Sequence, residues 1–331
     1  MRRIGYDSPV NSSLRATAPV VTRLEGRFGF ALSVDVEEWY HTCLVPSYVQ
    51  PERRPPLVAE LDRLLPKLLD LFAEADCHAT FFVLGEVAER LPGRIREIAR
   101  AGHEVGSHGF HHLRACARPP EVFGRDIRRC KALLEDLLGE PIAGFRAPEW
   151  SLRDYRRPQV REVAAAGFLY DSSLAPYSLS GSRRNPLFAS RLEWLASLAG
   201  DFRGEILELP PLTFGGGWRI PAGSWTGRLV APERLAAAAH RHHAAGGLPV
   251  AVIHPWEVSE QPTPGPLSGL ARFIHETGRL CYLPCLRRLL AAAPWRSLAT
   301  AAGLGSLAST APASSWAEPA TLSRRQAASG V

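Results

Sequence analysis

"HATFFVLGEVAERLPGRIREIARAGHEVGSH", residues 78–108, holds a complete strand–helix–strand unit. "HATFFVLG" is a short apolar run of strand length. "LPGRIREIARAGH" reads as a short amphipathic helix closed by Gly102, because glycine tolerates the left-handed conformation that ends helices. "HEVGSH" is a second short strand. Two strands joined through a helix run parallel, since a tight hairpin cannot connect them.

The same alternation continues in both directions. Upstream, residues 28–34 of "FGFALSVDVEEW" (28–39) are apolar or small, which suits a strand buried on both faces. "PLVAELDRLLPKLLDLFAEA" (56–75) spaces its leucines as a helix does, with Pro66 starting or kinking it. Downstream, "PEVFGRDIRRCKALLEDLLGE" (120–140) is a long helix with proline at its start and Gly139 at its end. "IAGFRAP", "LYDSS", "EILELPPL" and "LPVAVIHPWE" read as strands, and "RPQVREVAAAGF" and "APERLAAAAHRHHAAGG" as helices. A strand–helix unit about every 30 residues predicts an α/β fold with a parallel sheet. At least six units favour an irregular (β/α) barrel of about seven strands over an open sheet.

The expected organisation is an N-terminal arm (1–27), one barrel domain (28–296) and a disordered tail (297–331), the last rich in Ala and Ser without a periodic apolar face. The 331 residues are 46% hydrophobic and 22% charged, ordinary for a globular chain. The net charge of +6 is scattered as arginine pairs, without the basic block of a nucleic-acid arm, so no nucleic-acid partner is expected. The basic start lacks an apolar stretch behind it, and no window approaches a membrane span. These features predict a cytoplasmic chain. The six cysteines form no CxxC pair and are expected as reduced thiols.

Polar residues gather where the strands end. Asp35, Glu37 and Glu38 follow the first strand, and His108, His111 and His112 the third. Arg146 and Glu149 follow the fourth, Asp171 the fifth, and His254 and Glu257 the last. In β/α folds the carboxyl ends of the strands share one face, which carries the active site. Three of the 11 histidines fall within "SHGFHH" (107–112). His108 and His112 are four apart, so on a helical turn both rings reach one ion while His111 points elsewhere. Glu37 or Asp35 could add a carboxylate, giving the donor set of a divalent ion such as zinc. Arg146 beside a carboxylate would hold and orient it. His254 is either a core histidine or a general acid.

Taken in order, "SVDVEEW", "SHGFHH", "FRAPEW", "LELP" and "IHPWE" resemble the polysaccharide deacetylases, the NodB-type fold of carbohydrate esterase family four. The finer likeness is to the subgroup associated with exosortase and exopolysaccharide systems. The resemblance covers roughly residues 28–290. It implies Asp35 as general base, Arg146 orienting it, His254 as general acid and Asp171 as the acid that tunes His254. It implies one divalent metal, zinc first, on Glu37, His108 and His112, and substrate contacts from Trp39, Pro148, Trp150 and Trp256. Two departures stand: D-x-E in place of adjacent aspartates, which leaves Glu38 open, and HxxxH in place of HxxH. "LTFGGGWRIPAGSW" (212–225) resembles the subgroup's glycine-rich segment, expected as a loop over the pocket.

The implied reaction is removal of N-acetyl groups from an exopolysaccharide or its lipid-linked precursor, with peripheral association with inner-membrane exopolysaccharide machinery as a partner expectation. Two other readings remain: hydrolysis of a small amide or cyclic ureide on the same fold, and a non-catalytic carbohydrate-binding relic. Metal content and acetate release separate the three.

Overall fold

The computed structural model describes residues 18–41, 59–177, 181–194, 204–214, 219–264 and 267–305. Its strands are β1 (Val20–Arg23), β2 (Phe30–Val36), β3 (Thr80–Val83), β4 (Glu104–Ser107), β5 (Gly144–Phe145), β6 (Tyr170–Asp171), β7 (Ser190–Trp194), β8 (Gly204–Glu208), β9 (Thr213–Phe214), β10 (Ile220–Pro221), β11 (Val250–Ile253) and β12 (Trp295–Arg296). Its helices are α1 (Leu61–Glu74), α2 (Gly85–Arg90), α3 (Pro92–Arg100), α4 (Pro120–Leu138), α5 (Pro158–Ala165), α6 (Ser224–Leu229), α7 (Pro232–Ala244), α8 (Gly269–Glu276), α9 (Tyr282–Leu290) and α10 (Leu298–Ala301).

Seven strands form a continuous parallel run in the order β8-β6-β5-β4-β3-β2-β11. β7 and β1 extend it antiparallel beyond β8. β2 lies between β3 and β11 and every one of its residues is buried, as its apolar sequence requires. The α/β class and parallel sheet therefore match the sequence pattern. No ladder joins β8 to β11 among the described residues. The chain leaving β8 crosses that gap: Leu209 N–H donates to Asp171 O, and Leu212 N–H to Val250 O at 2.9 Å. Gly223 then bridges Val252 in parallel, and a side chain there would strike the Val252 carbonyl at 2.5 Å.

The core follows from the amphipathic helices. Leu61, Leu64, Leu65, Leu68 and Phe72 of α1 are buried, and α1 runs through Pro66 rather than starting there. α4 begins at Pro120 and ends at Gly139 (φ 72°), whose N–H returns to Glu135 O, as expected for a glycine C-cap.

Both expected boundaries need correction. β1, inside the supposed arm, pairs with β7. α10, inside the supposed tail, packs Leu298, Ala299 and Ala301 into the core beneath β2. Its first N–H groups donate to Thr80 Oγ1 (2.7 Å) and Glu104 Oε2 (3.1 Å), so buried polar groups at the foot of the barrel hold it. An Ala-rich composition hid a helix of one turn. The remainder of the expected tail, 306–331, lies outside the described residues.

Among the described residues no helix is long and apolar enough to cross a membrane. Cys77, Cys116, Cys130, Cys281 and Cys285 are free thiols, and Cys43 lies outside the described residues.

Candidate active site

The carboxyl ends of β2, β4, β5 and β11 place five groups on one rim. Asp35 is the penultimate residue of β2, and Glu37 follows it. His108 follows β4, Arg146 follows β5, and His254 follows β11. Glu37 Oε1 stands 2.8 Å from His108 Nε2 and 2.8 Å from His112 Nε2. All three side chains are buried.

The path that brings the two histidines together differs from the expected helical turn. Residues 108–112 form an irregular turn with Gly109 at φ 79° and His112 at φ 55°. Both are in the left-handed region, which is strained for His112. Phe110 N–H is fixed by Asp126, and Gly109 O and Phe110 O accept from Gly85 and Glu86 at the start of α2. His111 turns away to Glu86, which also meets His41. Glu38, left open by the sequence, accepts from Glu60 and Leu61 N–H and from Arg90, at the start of α1.

The donor set fits a divalent cation on its own chemistry. His108 Nδ1 lies 2.8 Å from the Arg146 carbonyl, which can only accept, so Nδ1 carries the proton. In the neutral ring Nε2 is then a bare lone pair facing a carboxylate oxygen. Such a pair is repulsive unless a cation lies between, and a backbone carbonyl behind a histidine is the usual support of a metal ligand. Burial raises the Glu37 pKa, but the charge of His112 and the His112 hydrogen bond, with His254 beyond them, outweigh it and hold Glu37 well below the carboxylate range.

Asp35 stands beside this cluster, with a carboxylate oxygen within 4.8 Å of donor atoms of Glu37 and His254. Its Oδ1 takes 2.7 Å from Arg146 Nη1, and its Oδ2 lies 3.9 Å from His254 Nε2. Arg146 is fully buried and each of its nitrogens is satisfied: Nη1 also meets Ser33 Oγ, Nη2 meets Ser172 Oγ, and Nε meets Ser172 O. Its guanidinium lies 4.3 Å over the Phe82 ring. Removing one partner of so enclosed a pair typically costs about 3–5 kcal/mol.

Asp171 corrects the expectation for His254. It is fully buried, bonds to Ser173 Oγ, and adjoins the equally buried Glu208. Burial raises Asp171 to about 7, and burial with the neighbouring Asp171 charge raises Glu208 well above its ordinary range. The acid that meets His254 is Glu257. Its Oε2 lies 3.2 Å from His254 Nδ1 and accepts His254 N–H at 2.9 Å. Burial alone would lower the His254 pKa, but Glu257 foremost, with Glu37 and Asp35, raises it to about 9. Arg228 Nε stands 2.9 Å behind, on Glu257 Oε1, as an ion pair. The signal was present in "HPWE": residues three apart meet across the tight turn Pro255–Val258.

A cavity of about 500 Å³ opens over Asp35, Glu37, His112 and His254. Trp39, Trp150 and Trp256 line it, joined by Tyr177 and Trp225. Pro148 does not line it; it is buried beneath the turn, against Gly109. From the glycine-rich stretch, Pro221, Gly223 and Trp225 form one wall, while 215–218 lie outside the described residues.

The polysaccharide deacetylase family model matches residues 59–168, which include His108, His112 and Arg146. A peptidoglycan deacetylase of Helicobacter pylori is 28% identical over 155 residues, 44% of this chain and 52% of that protein. A chitooligosaccharide deacetylase of Sinorhizobium fredii is 34% identical over 124 residues, 30% of this chain and 58% of that protein. The chain thus spans just over half the length of these curated relatives. A crystal structure of a Mycobacterium smegmatis protein, assigned as a polysaccharide deacetylase, shares the fold with a TM-score of 0.51 at 22% identity, over 94% of this chain and 99% of that one. With the sequence motifs converging on one buried rim, the chain is similar to the polysaccharide deacetylases over residues 59–168 and shares their fold.

Proposed function

We propose that the chain is a metal-dependent N-deacetylase acting on an exopolysaccharide or its lipid-linked precursor, as the likeness to the exosortase-associated subgroup implies. The observation that carries the reading is the pair of imidazoles meeting one Glu37 oxygen, with Asp35 and His254 beside them. The named relatives, a peptidoglycan deacetylase and a chitooligosaccharide deacetylase, support the reaction class.

Glu37, His108 and His112 would hold the ion, zinc by donor preference. Bound there, it would polarise the amide oxygen and acidify water. Asp35, aimed by Arg146, takes the proton of the attacking water. His254, kept cationic by Glu257, gives a proton to the departing sugar nitrogen. Acetate and a free amine result. Trp39, Trp150 and Trp256 stack the sugar and exclude bulk water, which strengthens each charge interaction.

The test is elemental analysis together with acetate release from N-acetylated and O-acetylated oligosaccharides. About one ion per chain is expected in the wild type and none in H108A/H112A. D35N is expected to keep the ion and lose turnover. Wild-type turnover in D35N would overturn the base assignment, and bound metal without acetate release in the wild type would leave the carbohydrate-binding relic.

A further inference from the structure

Large exposed apolar side chains are unevenly spread. Among the described residues they are Val20 and Val21 on the edge strand β1, and Ile220, Leu229, Leu270, Phe273 and Leu280. The last five are 37–67% exposed and fall in two segments, 220–229 and 270–280. These segments are joined: Arg228 donates to the carbonyls of Ile274, His275 and Thr277 at the end of α8, and its own carbonyl crowds Gly278. Both segments also border the cavity through Pro221, Arg228, Ile274 and His275. Leu270 and Phe273, three apart on α8, share its outer face. An apolar collar therefore surrounds one side of the active-site mouth.

The adjoining rim is basic. Arg153 lines the cavity, and its carbonyl accepts from Asn185. Arg219 donates to the Arg183 carbonyl, with Arg184 next in sequence. Among the described residues none of these four arginines is ion-paired. The nearby Asp154 is held by Nε and Nη2 of Arg156, with Arg184 only adding to its field, and Glu276 is shared by Arg279 and Arg272.

We infer that this face seats the chain on an anionic lipid bilayer, with the pocket mouth toward the headgroups. Apolar side chains bordered by unpaired arginines are the composition that binds such a surface. An acidic polymer would satisfy the arginines and leave the collar in water. A protein partner on this face would close the mouth unless it also delivered the substrate. A bilayer carrying lipid-anchored N-acetylated glycan covers the collar and feeds the pocket. The substrate part of this inference rests on the deacetylase reading; the membrane part does not.

The test is co-sedimentation of the full chain with phosphatidylcholine vesicles with and without phosphatidylglycerol. Binding is expected only with phosphatidylglycerol, and is expected to fall roughly tenfold in L270S/F273S and in R183E/R184E. L270S/F273S is expected to keep its melting temperature and its acetate release from a soluble chitooligosaccharide. Absence of vesicle binding by the wild type, or unchanged binding by L270S/F273S, would overturn the inference. So would a wild-type dimer that L270S/F273S dissolves, which would make the collar a contact between copies. Vesicle binding without acetate release would sink the deacetylase reading alone.

Discussion

His254 and Asp35 stand 3.9 Å apart, but each is held by a different partner. Glu257, buried at the Nδ1 of His254, controls the orientation and proton affinity of that ring. E257Q is expected to lower kcat roughly 10- to 100-fold, the usual effect of losing a partner behind an active imidazole, with little change in KM. His254 must be protonated to act as acid, so activity falls as pH rises through its pKa of about 9. Without the Glu257 charge that limb moves to lower pH. D171N, by contrast, should leave kcat near wild type, because Asp171 contacts Ser173 and Glu208 rather than His254. Its effect is on stability. An acid whose pKa is raised by burial binds its proton more tightly folded than unfolded. Stability from this group is therefore present at low pH and lost as pH rises toward about 7. Urea midpoints at about pH 5 and about pH 8 should differ more in wild type than in D171N. An equal fall in both would show that the Asp171–Glu208 pair does not titrate with folding.

The turn between β4 and α4 shows what an element adds to its residues. Gly109, at φ 79°, allows the chain to reverse so that His108 and His112 face one carboxylate, and a Cβ there would meet Asp126 Oδ2 at 3.3 Å. G109A is expected to cost about 1–2 kcal/mol from the left-handed backbone alone. It should also weaken metal binding, measured by competition with a zinc chelator, because Asp126 fixes the neighbouring Phe110 N–H. Unchanged affinity and melting temperature would show that the turn tolerates another path. This element also marks what the sequence could disclose. The histidines stood out in the sequence as three in six residues, and it was the acids Asp35 and Glu37 at a neighbouring strand end that drew attention to the pair. The geometry of the pair was not legible, since spacing of four fits both a helical face and a reversed turn. Likewise, Asp35 and Arg146 were legible from their strand ends, whereas the partner of His254 depended on the tight turn after β11. Glu38 was ambiguous because its partners at the start of α1 lie 22 and 23 positions away.

At the scale of the molecule, the parallel run is sealed from below by a segment that composition assigned to a tail. β12 adds to β2 at Trp295 and Arg296, and α10 follows directly beneath. Thr80 and Glu104, at the starts of β3 and β4, hold the first N–H groups of α10, and Tyr170 OH adds a third bond to Glu104 at 2.8 Å. Burial raises the Glu104 pKa despite these bonds, so the group depends on its enclosure. Leu298 is fully buried and inserts among Ala31, Phe82 and Val250 of the core. This strand-end plug lies at the opposite end of the strands from Asp35 and Glu37, so its loss should act on stability rather than on chemistry. L298A is expected to destabilise the chain by about 2–5 kcal/mol, the range for truncating a buried leucine. Denaturant midpoints measure this, while kcat of the folded fraction should remain near wild type. If L298A melts like the wild type, residues 298–301 do not pack on the barrel in solution, and the domain ends at β12 as composition alone implied.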